Sequence, residues 1–548
     1  MTAKKVPLTV LLLVPVVAFG SVTDTSSSPY ARLRTVGLDD VRWTDGLWAE
    51  KFGQLQPAML PSIREALHDP DNGAQLHNLL VAADLKEGSH RGDDWSDGDC
   101  YKYMEAMAAV YAVTGEKELN RRLDRWIQVI EKAQCEGGYI STQIGCDPKR
   151  RFPRPKSHEL YNMGHLLTAA SVHHRATGKD NFLRIARRLG DYLCETFNPT
   201  PDSLMHFPWN PSVYMGLVDL YRTTGERRYL ELARVLIGNR GKAPGGTDET
   251  QDRVPLREEW EMVGHAVCAT YTYSGAADVY AEMGDDSLLA ALDRIWNDAT
   301  CQNMFITGAV GAKRGGKSFR GDKVSEGPME DYTLPDRSAY CETCANIGNA
   351  MWNRRMLAIT GDARYADVME RVLYNSMLSA LSAEGDAFFY ANPLKWTGEK
   401  HGPSVHHTAT RWQVHSCYCC PVQVARTLAS LHTWAYAVSS SAVWVHIYGG
   451  SRLQTELPDG IPVALEQETD YPWDGRIKIT FTEAPDRPMA LRLRIPGWAT
   501  DARVLVNGQK ADVSPEAGSY LALKRTWSRG DVVRLELPMQ VRLFRAHP

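Results

Sequence analysis

VTGEKEL, at residues 113–119, indicates how the chain is organised, because the same arrangement returns at four later positions. In each stretch a glycine separates two segments whose apolar residues recur at helical spacing. Glycine adopts the left-handed conformation that closes a helix, so each stretch predicts the end of one helix and the start of the next. The four related stretches are ATGKDNF at 176–182, TTGERRY at 223–229, EMGDDSL at 282–288 and ITGDARY at 359–365.

Joints of this kind connect helices into hairpins. Together with an opening hairpin near PAMLPSIREAL at 57–67, the five joints give six hairpins. Their spacing is too long and too uneven for a short-repeat solenoid, and it suits hairpins separated by functional loops. Six hairpins that close into a ring predict a mainly α fold, an (α/α)6 barrel over residues 49–437 with loops around a central cleft. An open superhelical scaffold is the alternative.

The pattern of apolar residues changes after residue 437. Short runs of alternating apolar and polar residues, bounded by turns, predict an antiparallel β-sandwich over residues 438–548. Within it, Asn507-Gly508 predicts a tight hairpin. The stretch ARLRTVGLDDVRW, inside residues 30–48, is expected to add strands to the same sheets. We expect this part to support the barrel or extend its cleft.

Residues 1–20 predict a secretion signal. Lys4 and Lys5 precede an apolar run over residues 6–19, and Ala18 begins a short stretch of small residues that suits signal peptide cleavage. A membrane anchor would need about twenty apolar residues, whereas this run is shorter and contains two prolines. We therefore expect residues 1–20 to be removed and the mature bacterial protein to be periplasmic or secreted.

The overall composition is that of a soluble globular protein with a large core. Hydrophobic residues make up 43% of the chain and charged residues 23%, and the formal net charge is −4. This balance argues against nucleic acid and against a membrane surface as partners of the mature chain. Assembly into a homodimer stays open.

Five of the eleven cysteines lie in two short clusters. AYCETC at 339–344 holds two of them, and CYCC at 417–420 holds three. Cysteines of an exported protein usually form disulfides, but an odd number and adjacent cysteines fit a pairing scheme badly. A bound metal explains the clusters better.

Each cluster offers a pair of ligands near the start of a predicted helix. Thiolates bind Zn²⁺ well, and a carboxylate can complete a tetrahedral set. The alternatives are a disulfide with buried thiols and a zinc ion with a purely structural role. The predicted zinc ligands are Glu342, Cys344, Cys419 and Cys420.

A loop containing glycine and proline, KVSEGPMEDYTLP at 323–335, leads into the first cluster. Its Glu326 or its Glu330 could enter the mouth of the barrel, although a solvated loop carboxylate is the simpler interpretation of each. Aromatic residues of the surrounding loops offer faces on which a sugar could stack, or they pack in the core. They are Trp95, Tyr340, Tyr390 and Trp396.

Several longer motifs carry a family resemblance. They are WSDGDCYKYMEA, HELYNMGHLL, MVGHAV, the Glu326 loop, DYTLPDRSAYCETCANIG, FFYANPL and CYCCP. With these motifs the sequence resembles the bacterial β-L-arabinofuranosidase family, glycoside hydrolase family 127, along most of the mature chain. The resemblance implies an (α/α)6 barrel with β-sandwich attachments and retaining cleavage of a furanoside in an oligosaccharide or glycoconjugate. It also implies a Zn²⁺ ion held by three cysteines and one glutamate.

The resemblance implies a role for particular residues. Cys419 matches the nucleophile, and Glu326 matches the acid/base. Retaining hydrolysis needs this pair, because a nucleophile attacks one face of the anomeric carbon while a proton donor later becomes the base. Cys344, Cys420 and Glu342 match the other zinc ligands, and His158, His265 and Tyr390 match residues that bind the sugar.

The sequence departs from the family pattern at three places. Where the family has Gly-His-Pro before a barrel helix, this chain has Trp209-Asn210-Pro211, so Asn210 replaces a sugar-binding histidine. The family's CCPPN becomes CCPVQ at Val422 and Gln423. The sequence also stops where relatives continue into a second β-sandwich, from which we expect a shortened chain with a whole barrel.

The sequence therefore predicts an exported, zinc-dependent retaining exo-glycosidase, a β-L-arabinofuranosidase or a relative that acts on another furanoside. Two other classes stay open. An unsaturated-uronyl hydrolase or polysaccharide lyase could use the same barrel without zinc, and a carbohydrate-binding protein with a structural zinc would bind sugar but release none.

Overall fold

The computed structural model describes residues 20–69, 74–398 and 404–545. The predicted secretion signal lies outside the described residues, except for Gly20. Within the part of the chain that is described, no helix is long and apolar enough to cross a membrane.

The chain is mainly helical up to about residue 435, with four short strands, and forms strands after it. The helices are α1 (Gly46–Gly53), α2 (Leu60–His68), α3 (Gln75–Ala82), α4 (Ser96–Thr114), α5 (Lys117–Ala133), α6 (Glu159–Thr177), α7 (Asn181–Phe197), α8 (Ser212–Thr224), α9 (Arg227–Asn239), α10 (Ala266–Met283), α11 (Asp286–Cys301), α12 (Thr343–Thr360), α13 (Ala363–Arg371) and α14 (Cys419–Ser430).

The strands fall at both ends of the chain and in one long loop. They are β1 (Arg34–Thr35), β2 (Val41–Trp43), β3 (Lys313–Lys317), β4 (Lys323–Gly327), β5 (Tyr436–Ser439), β6 (Ala442–Val445), β7 (Ser451–Glu456), β8 (Pro462–Glu468), β9 (Arg476–Glu483), β10 (Pro488–Ile495), β11 (Arg503–Val506), β12 (Gln509–Lys510), β13 (Ser519–Thr526) and β14 (Val532–Glu536).

Six helices, α4, α6, α8, α10, α12 and α14, form a closed inner ring. Each packs against the next, and α14 returns to α4. Most of their residues are buried, because the outer helices cover them on the other side. This closure confirms the predicted (α/α)6 barrel and excludes the open superhelical scaffold.

The outer helices are amphipathic. In α5 the buried residues recur at helical spacing at Leu119, Leu123, Ile127 and Ile130, which is the pattern of a helix with one face against a core. The joints also form as predicted. The five joint glycines have φ between +67° and +74°, and the N–H of each donates to the carbonyl four residues earlier.

The strands outside the β3–β4 hairpin form two packed sheets. One has the order β1-β5-β6-β10-β13 and the other β12-β11-β14-β9-β8-β7-β2. Neighbouring strands are antiparallel, except that β10 lies parallel to β6. Strand β5 begins at Tyr436, two residues before the predicted boundary. Asn507 and Gly508 both have positive φ, at +51° and +80°, in the tight turn between β11 and β12.

Arg494, on β10, joins the sandwich to the barrel. Its side chain is completely buried, and its guanidinium pairs with Asp367, at 2.7 Å, and with Glu370 of α13. Both carboxylates therefore depend on this one cation.

We expect Arg494→Leu to lower the free energy of unfolding by about 3–5 kcal/mol, because the change leaves the buried carboxylate of Glu370 and the partly buried carboxylate of Asp367 without their counter-charge. Urea denaturation followed by far-UV circular dichroism measures the effect. Arg492→Leu is the matched control on the same strand, since among the described residues it removes a cation–π contact with Trp444, worth about 0.5–1 kcal/mol. Equal losses from the two variants would contradict the role of the buried pair.

Candidate active site at one end of the barrel

Residues at the N-termini of the inner helices contact one another around a circle. These contacts show that the inner helices begin at the same end of the barrel. His158, immediately before α6, places its Nδ1 atom 2.7 Å from the Oδ1 atom of Asp94, just before α4. The ring of Trp209, before α8, packs edge-on against both His158 and His265 at centroid distances of 5.2 and 5.5 Å.

The circle continues from His265 through the cysteine clusters. The Nε2 atom of His265 lies 3.9 Å from the Oε2 atom of Glu342, the N-cap residue of α12. The Oε1 atom of Glu342 lies 3.6 Å from the sulfur of Cys419, at the start of α14. Lys102 of α4 closes the circle by donating to the Cys419 carbonyl oxygen at 3.3 Å. Helix N-termini carry partial positive charge, so this end of the barrel favours anionic groups.

Glu342, Cys344, Cys419 and Cys420 form one buried cluster whose ligand atoms lie within 4.8 Å of one another. The sulfurs of Cys419 and Cys420 are 3.8 Å apart. Tetrahedral coordination with zinc–sulfur bonds of about 2.3 Å requires a sulfur–sulfur separation of about 3.8 Å. One oxygen of Glu342, Oε2, is buried and has no hydrogen-bond partner in the described part of the chain. The four residues therefore fit a zinc ion.

Cys419 is the member of the cluster whose thiol pKa is lowered. The pKa of its thiol lies well below the usual range because the neighbouring thiols of Cys344, Cys417 and Cys420 donate hydrogen bonds to its sulfur, and the Lys102 ammonium adds a favourable charge. A sulfur held as a thiolate can serve as a metal ligand or as a nucleophile.

Glu326 reaches the same cluster from the β3–β4 hairpin. Its Oε2 atom lies 2.9 Å from the Nε2 atom of His265, and its Oε1 atom lies 2.7 Å from Arg314. Because the Nδ1 atom of His265 accepts the N–H of Val267, the Nε2 atom carries the proton donated to Glu326. Burial by itself would raise the pKa of Glu326, but His265 and Arg314 outweigh it and lower the pKa to about 2.

The other carboxylate of this loop, Glu330, is exposed and lies outside the cluster. Glu326 has a φ of +54°, which is unusual for a residue with a side chain. This backbone conformation accompanies the inward position of its carboxyl group.

The remaining predicted sugar-binding residues lie around the same opening. The hydroxyl of Tyr390 is 3.9 Å from the sulfur of Cys419, and the ring of His406 stacks on Tyr390 at 4.3 Å. Asn210 is buried, and its Oδ1 atom has no hydrogen-bond partner among the described residues. An unpaired buried amide oxygen is costly, and a bound sugar hydroxyl would satisfy it.

The four aromatic residues singled out in the sequence differ in position. Trp95 contacts the ring of His158, with centroids 5.2 Å apart. Tyr340 is fully buried, 6.0 Å from the ring of Tyr390. Trp396 is 37% exposed. Trp95, Tyr340 and Tyr390 therefore each lie beside another predicted site residue.

The two residues after CYCCP that differ from the family pattern lie behind the cluster of predicted zinc ligands. Val422 and Gln423 are both buried in α14. The Oε1 atom of Gln423 accepts from Arg426 at 2.8 Å and from the hydroxyl of Tyr271 at 3.2 Å. Gln423 thus ties α14 to α10.

Sequence reasoning missed two features of the site region. Lys102, whose only signal was its position in WSDGDCYKYMEA, is completely buried, 3.1 Å from Asp99 and 2.8 Å from the hydroxyl of Tyr161. Cys135 and Cys146 form a disulfide outside both clusters, although the odd cysteine count argued against a pairing scheme. Nothing in their spacing separates this pair from the nine free cysteines.

Comparison with known proteins gives consistent matches. The family model described as the GH127 catalytic domain of β-L-arabinofuranosidase matches residues 40–433, and the model of the GH127 middle domain matches residues 442–539. The non-reducing end β-L-arabinofuranosidase of Bifidobacterium longum subsp. longum is 31% identical, over 93% of this chain and 83% of the relative.

Solved structures agree with these matches. A GH127 β-L-arabinofuranosidase from Geobacillus stearothermophilus T6 is 36% identical with a TM-score of 0.87, covering 93% of this chain and 83% of that one. A structure described as a glycoside hydrolase is 39% identical with a TM-score of 0.84, covering 96% of this chain and 82% of that one.

Proposed function

The chain belongs to glycoside hydrolase family 127, and from this premise we propose that it is a retaining β-L-arabinofuranosidase that removes a terminal sugar from a glycan. The observation that carries the proposal is that the Cys419 sulfur lies against Glu342 and that the Glu326 carboxylate reaches the same Glu342 beside their shared neighbour His265. A nucleophile and a proton-transferring group at one opening are the two groups that retaining hydrolysis needs.

The four clustered residues Glu342, Cys344, Cys419 and Cys420 would hold a zinc ion. When bound, zinc would keep the cysteine sulfurs as thiolates and shield them from oxidation. Lys102 holds the first turn of α14 by donating to the Cys419 carbonyl. The position of the Cys419 sulfur would therefore depend on this hydrogen bond as well as on the zinc ion.

In the first step, the sulfur of Cys419 forms a bond to the anomeric carbon while the bond from that carbon to the leaving oxygen breaks. Glu326 gives the leaving oxygen a proton, and His265 holds the Oε2 atom of Glu326 in place at 2.9 Å. Because Arg314 and His265 lower the pKa of Glu326 in the free protein, Glu326 takes up a proton from the solvent before bond cleavage, and the water of the second step returns that proton.

In the second step, Glu326 takes a proton from water, and the water oxygen attacks the anomeric carbon. The carbon–sulfur bond breaks and the Cys419 thiolate returns. Two displacements at one carbon retain its configuration. His158, Asn210 and Tyr390 would hold the sugar hydroxyls during both steps.

Export through a signal peptide belongs to the same proposal. The Cys135–Cys146 disulfide supports it, because disulfides persist in oxidising compartments such as the periplasm and the extracellular medium.

A panel of para-nitrophenyl furanosides tests the proposed sugar. We expect the β-L-arabinofuranoside to be cleaved fastest, with the first product retaining its anomeric configuration by NMR. Cleavage of 4,5-unsaturated uronides without zinc or Cys419 would instead support the uronyl hydrolase alternative, and binding without cleavage would support the carbohydrate-binding alternative.

We expect the purified protein to contain about one zinc ion per chain, because four ligands of the kind that zinc prefers converge from two helix starts. Elemental analysis by mass spectrometry measures it. Cys344→Ser should lose most of the metal, and Cys301→Ser, which changes an exposed cysteine outside the cluster, should keep it. A protein without metal in which Cys344 and Cys420 form a disulfide would contradict the proposal.

We expect Asn210→His to shift preference toward β-L-arabinofuranosides, because it restores the histidine that the family has at this position. A hydrogen bond to a sugar hydroxyl with a buried partner is worth about 1–3 kcal/mol. Relative kcat/KM values across the furanoside panel measure the shift. Unchanged ratios would show that this position does not select the sugar.

A further inference from the structure

The stretch KRRFPRPK at 149–156 carries five cations in eight residues, in a chain whose formal net charge is −4. It ends two residues before His158, at the opening of the candidate site. Neither the zinc cluster nor the two-step mechanism uses this local excess of positive charge.

Two of these cations reach residues of the opening. Arg154 lies 3.5 Å from Asp94, the carboxylate that also contacts His158. The ammonium of Lys156 lies 2.7 Å from Glu249 and 5.3 Å from the ring centroid of Trp209. Glu249 in turn accepts from Ser325, the residue next to Glu326.

Arg314, on the β3–β4 hairpin, is a third cation of the same kind, because it pairs directly with Glu326. We call Arg154, Lys156 and Arg314 the basic rim. Their side chains are 69%, 49% and 47% exposed, whereas their carboxylate partners are only 7–11% exposed. The carboxylates face inward and the cations face the solvent.

The basic rim keeps spare hydrogen-bonding capacity. Each guanidinium has five N–H donors and the ammonium has three, and each cation has one ion-pair partner among the described residues. Because the cationic ends face the solvent, their unused N–H donors can bind a further anion while each cation keeps its own carboxylate partner. Asp93, next to Asp94, is an exposed carboxylate beside this surface, so the rim attracts an anion through the three outward-facing cations and not through the net charge of the region.

The side of the opening on which the rim lies indicates what it contacts. Glu326 would protonate the leaving oxygen, and Arg314 contacts Glu326 itself. A group next to Arg314 therefore belongs to the part of the glycan that departs. Lys156 lies on the same side, because its partner Glu249 accepts from Ser325, the neighbour of Glu326. Arg154 lies beside His158 and Asp94 and adds its charge from across the opening.

We propose that the basic rim binds an anionic group, a uronate carboxylate or a sulfate ester, on the sugar that leaves with the glycosidic oxygen. This inference rests on the proposed glycosidase function and specifies the class of its natural substrate, an acidic glycan. The planar guanidinium groups suit recognition of such anions by paired hydrogen bonds.

Matched disaccharides test the proposal on the zinc-loaded protein. One carries β-L-arabinofuranose on galacturonic acid, the second is the methyl ester of the same compound, and the third carries the furanose on galactose 6-sulfate. We expect kcat/KM for the acid to exceed that for the ester by about tenfold in 20 mM NaCl, and the ratio to fall toward about twofold in 500 mM NaCl as salt screens the charges. The sulfated compound shows whether the rim selects carboxylates or accepts both anions.

Substitutions in the basic rim test whether the rim causes the difference in kcat/KM between the acid and the ester. Arg154→Gln and Lys156→Gln should each lower the acid-to-ester ratio about two- to threefold. Arg125→Gln is the matched control, because Arg125 is 64% exposed and pairs with one carboxylate, Glu118, on the outer helix α5. An acid-to-ester ratio near one for the parent protein at low salt, or a ratio that neither rim variant changes, would overturn the proposal.

Failure of the proposed sugar specificity has a different signature. If both arabinofuranosides resist cleavage and another furanoside is cleaved, the same acid and ester pair built on that sugar tests the rim. If no furanoside is cleaved, calorimetric Kd values for the acid and the ester replace the rates, and equal values would overturn the proposal.

Discussion

Cys419→Ser is expected to lower turnover by about 10³-fold or more, since loss of the nucleophile alone lowers kcat by about 10⁶-fold in a serine protease. A serine hydroxyl stays protonated near neutral pH, and it binds zinc poorly, so the variant has no activated nucleophile. Three ligands of the cluster remain, so the barrel should still fold. Steady-state hydrolysis of a para-nitrophenyl furanoside measures the loss, with circular dichroism as the check on folding.

Cys417→Ser is the sharpest control for this variant. The Cys417 sulfur lies 3.8 Å from that of Cys419, but it is outside the four-residue cluster. We expect this variant to keep readily measurable turnover. A Cys419→Ser protein nearly as active as the parent would rule out the cysteine mechanism and leave the metal a structural role.

Glu326→Ala is expected to separate the two steps of the reaction. A substrate with a good leaving group needs little protonation, so the bond to Cys419 can still form. Hydrolysis of that bond lacks its base and should slow by about 10²–10⁴-fold, the usual contribution of general base catalysis. The sugar should therefore accumulate on the Cys419 sulfur.

Intact-protein mass spectrometry with an activated furanoside detects the mass of one added sugar, and digestion locates it. Glu330→Ala, which removes the exposed carboxylate of the same loop, should turn over without such accumulation. An adduct on a carboxylate instead of on Cys419 would identify another nucleophile and refute the proposed division of labour between Cys419 and Glu326.

Some of the site was predictable because the signal was local in sequence. Glu342 with Cys344, and Cys419 with Cys420, each supply two potential ligands within three residues, which is unusual enough to suggest a metal without a structure. The choice between Glu326 and Glu330 was not predictable from composition or spacing. Both lie in one loop, and only the folded hairpin turns Glu326 inward.

Lys102 shows the limit most clearly. It is 317 positions from Cys419 in the sequence, and within its own helix it resembles any solvated lysine. The Cys135–Cys146 disulfide was missed for a similar reason, since eleven cysteines allow many pairings and only the fold brings these two together.

The sequence by itself determined the helices, their joints and the alternating strands, because glycine at a helix end and periodic apolar residues act on near neighbours. It also indicated the family through its motifs. The tertiary structure decided that six hairpins close into a ring rather than an open superhelix. That closure brings the starts of α4 and α14 together, and it thereby places Lys102 and Glu342 beside Cys419. The reason is physical: burial and charge pairing depend on contacts between distant segments, and no local pattern encodes which distant segments will meet.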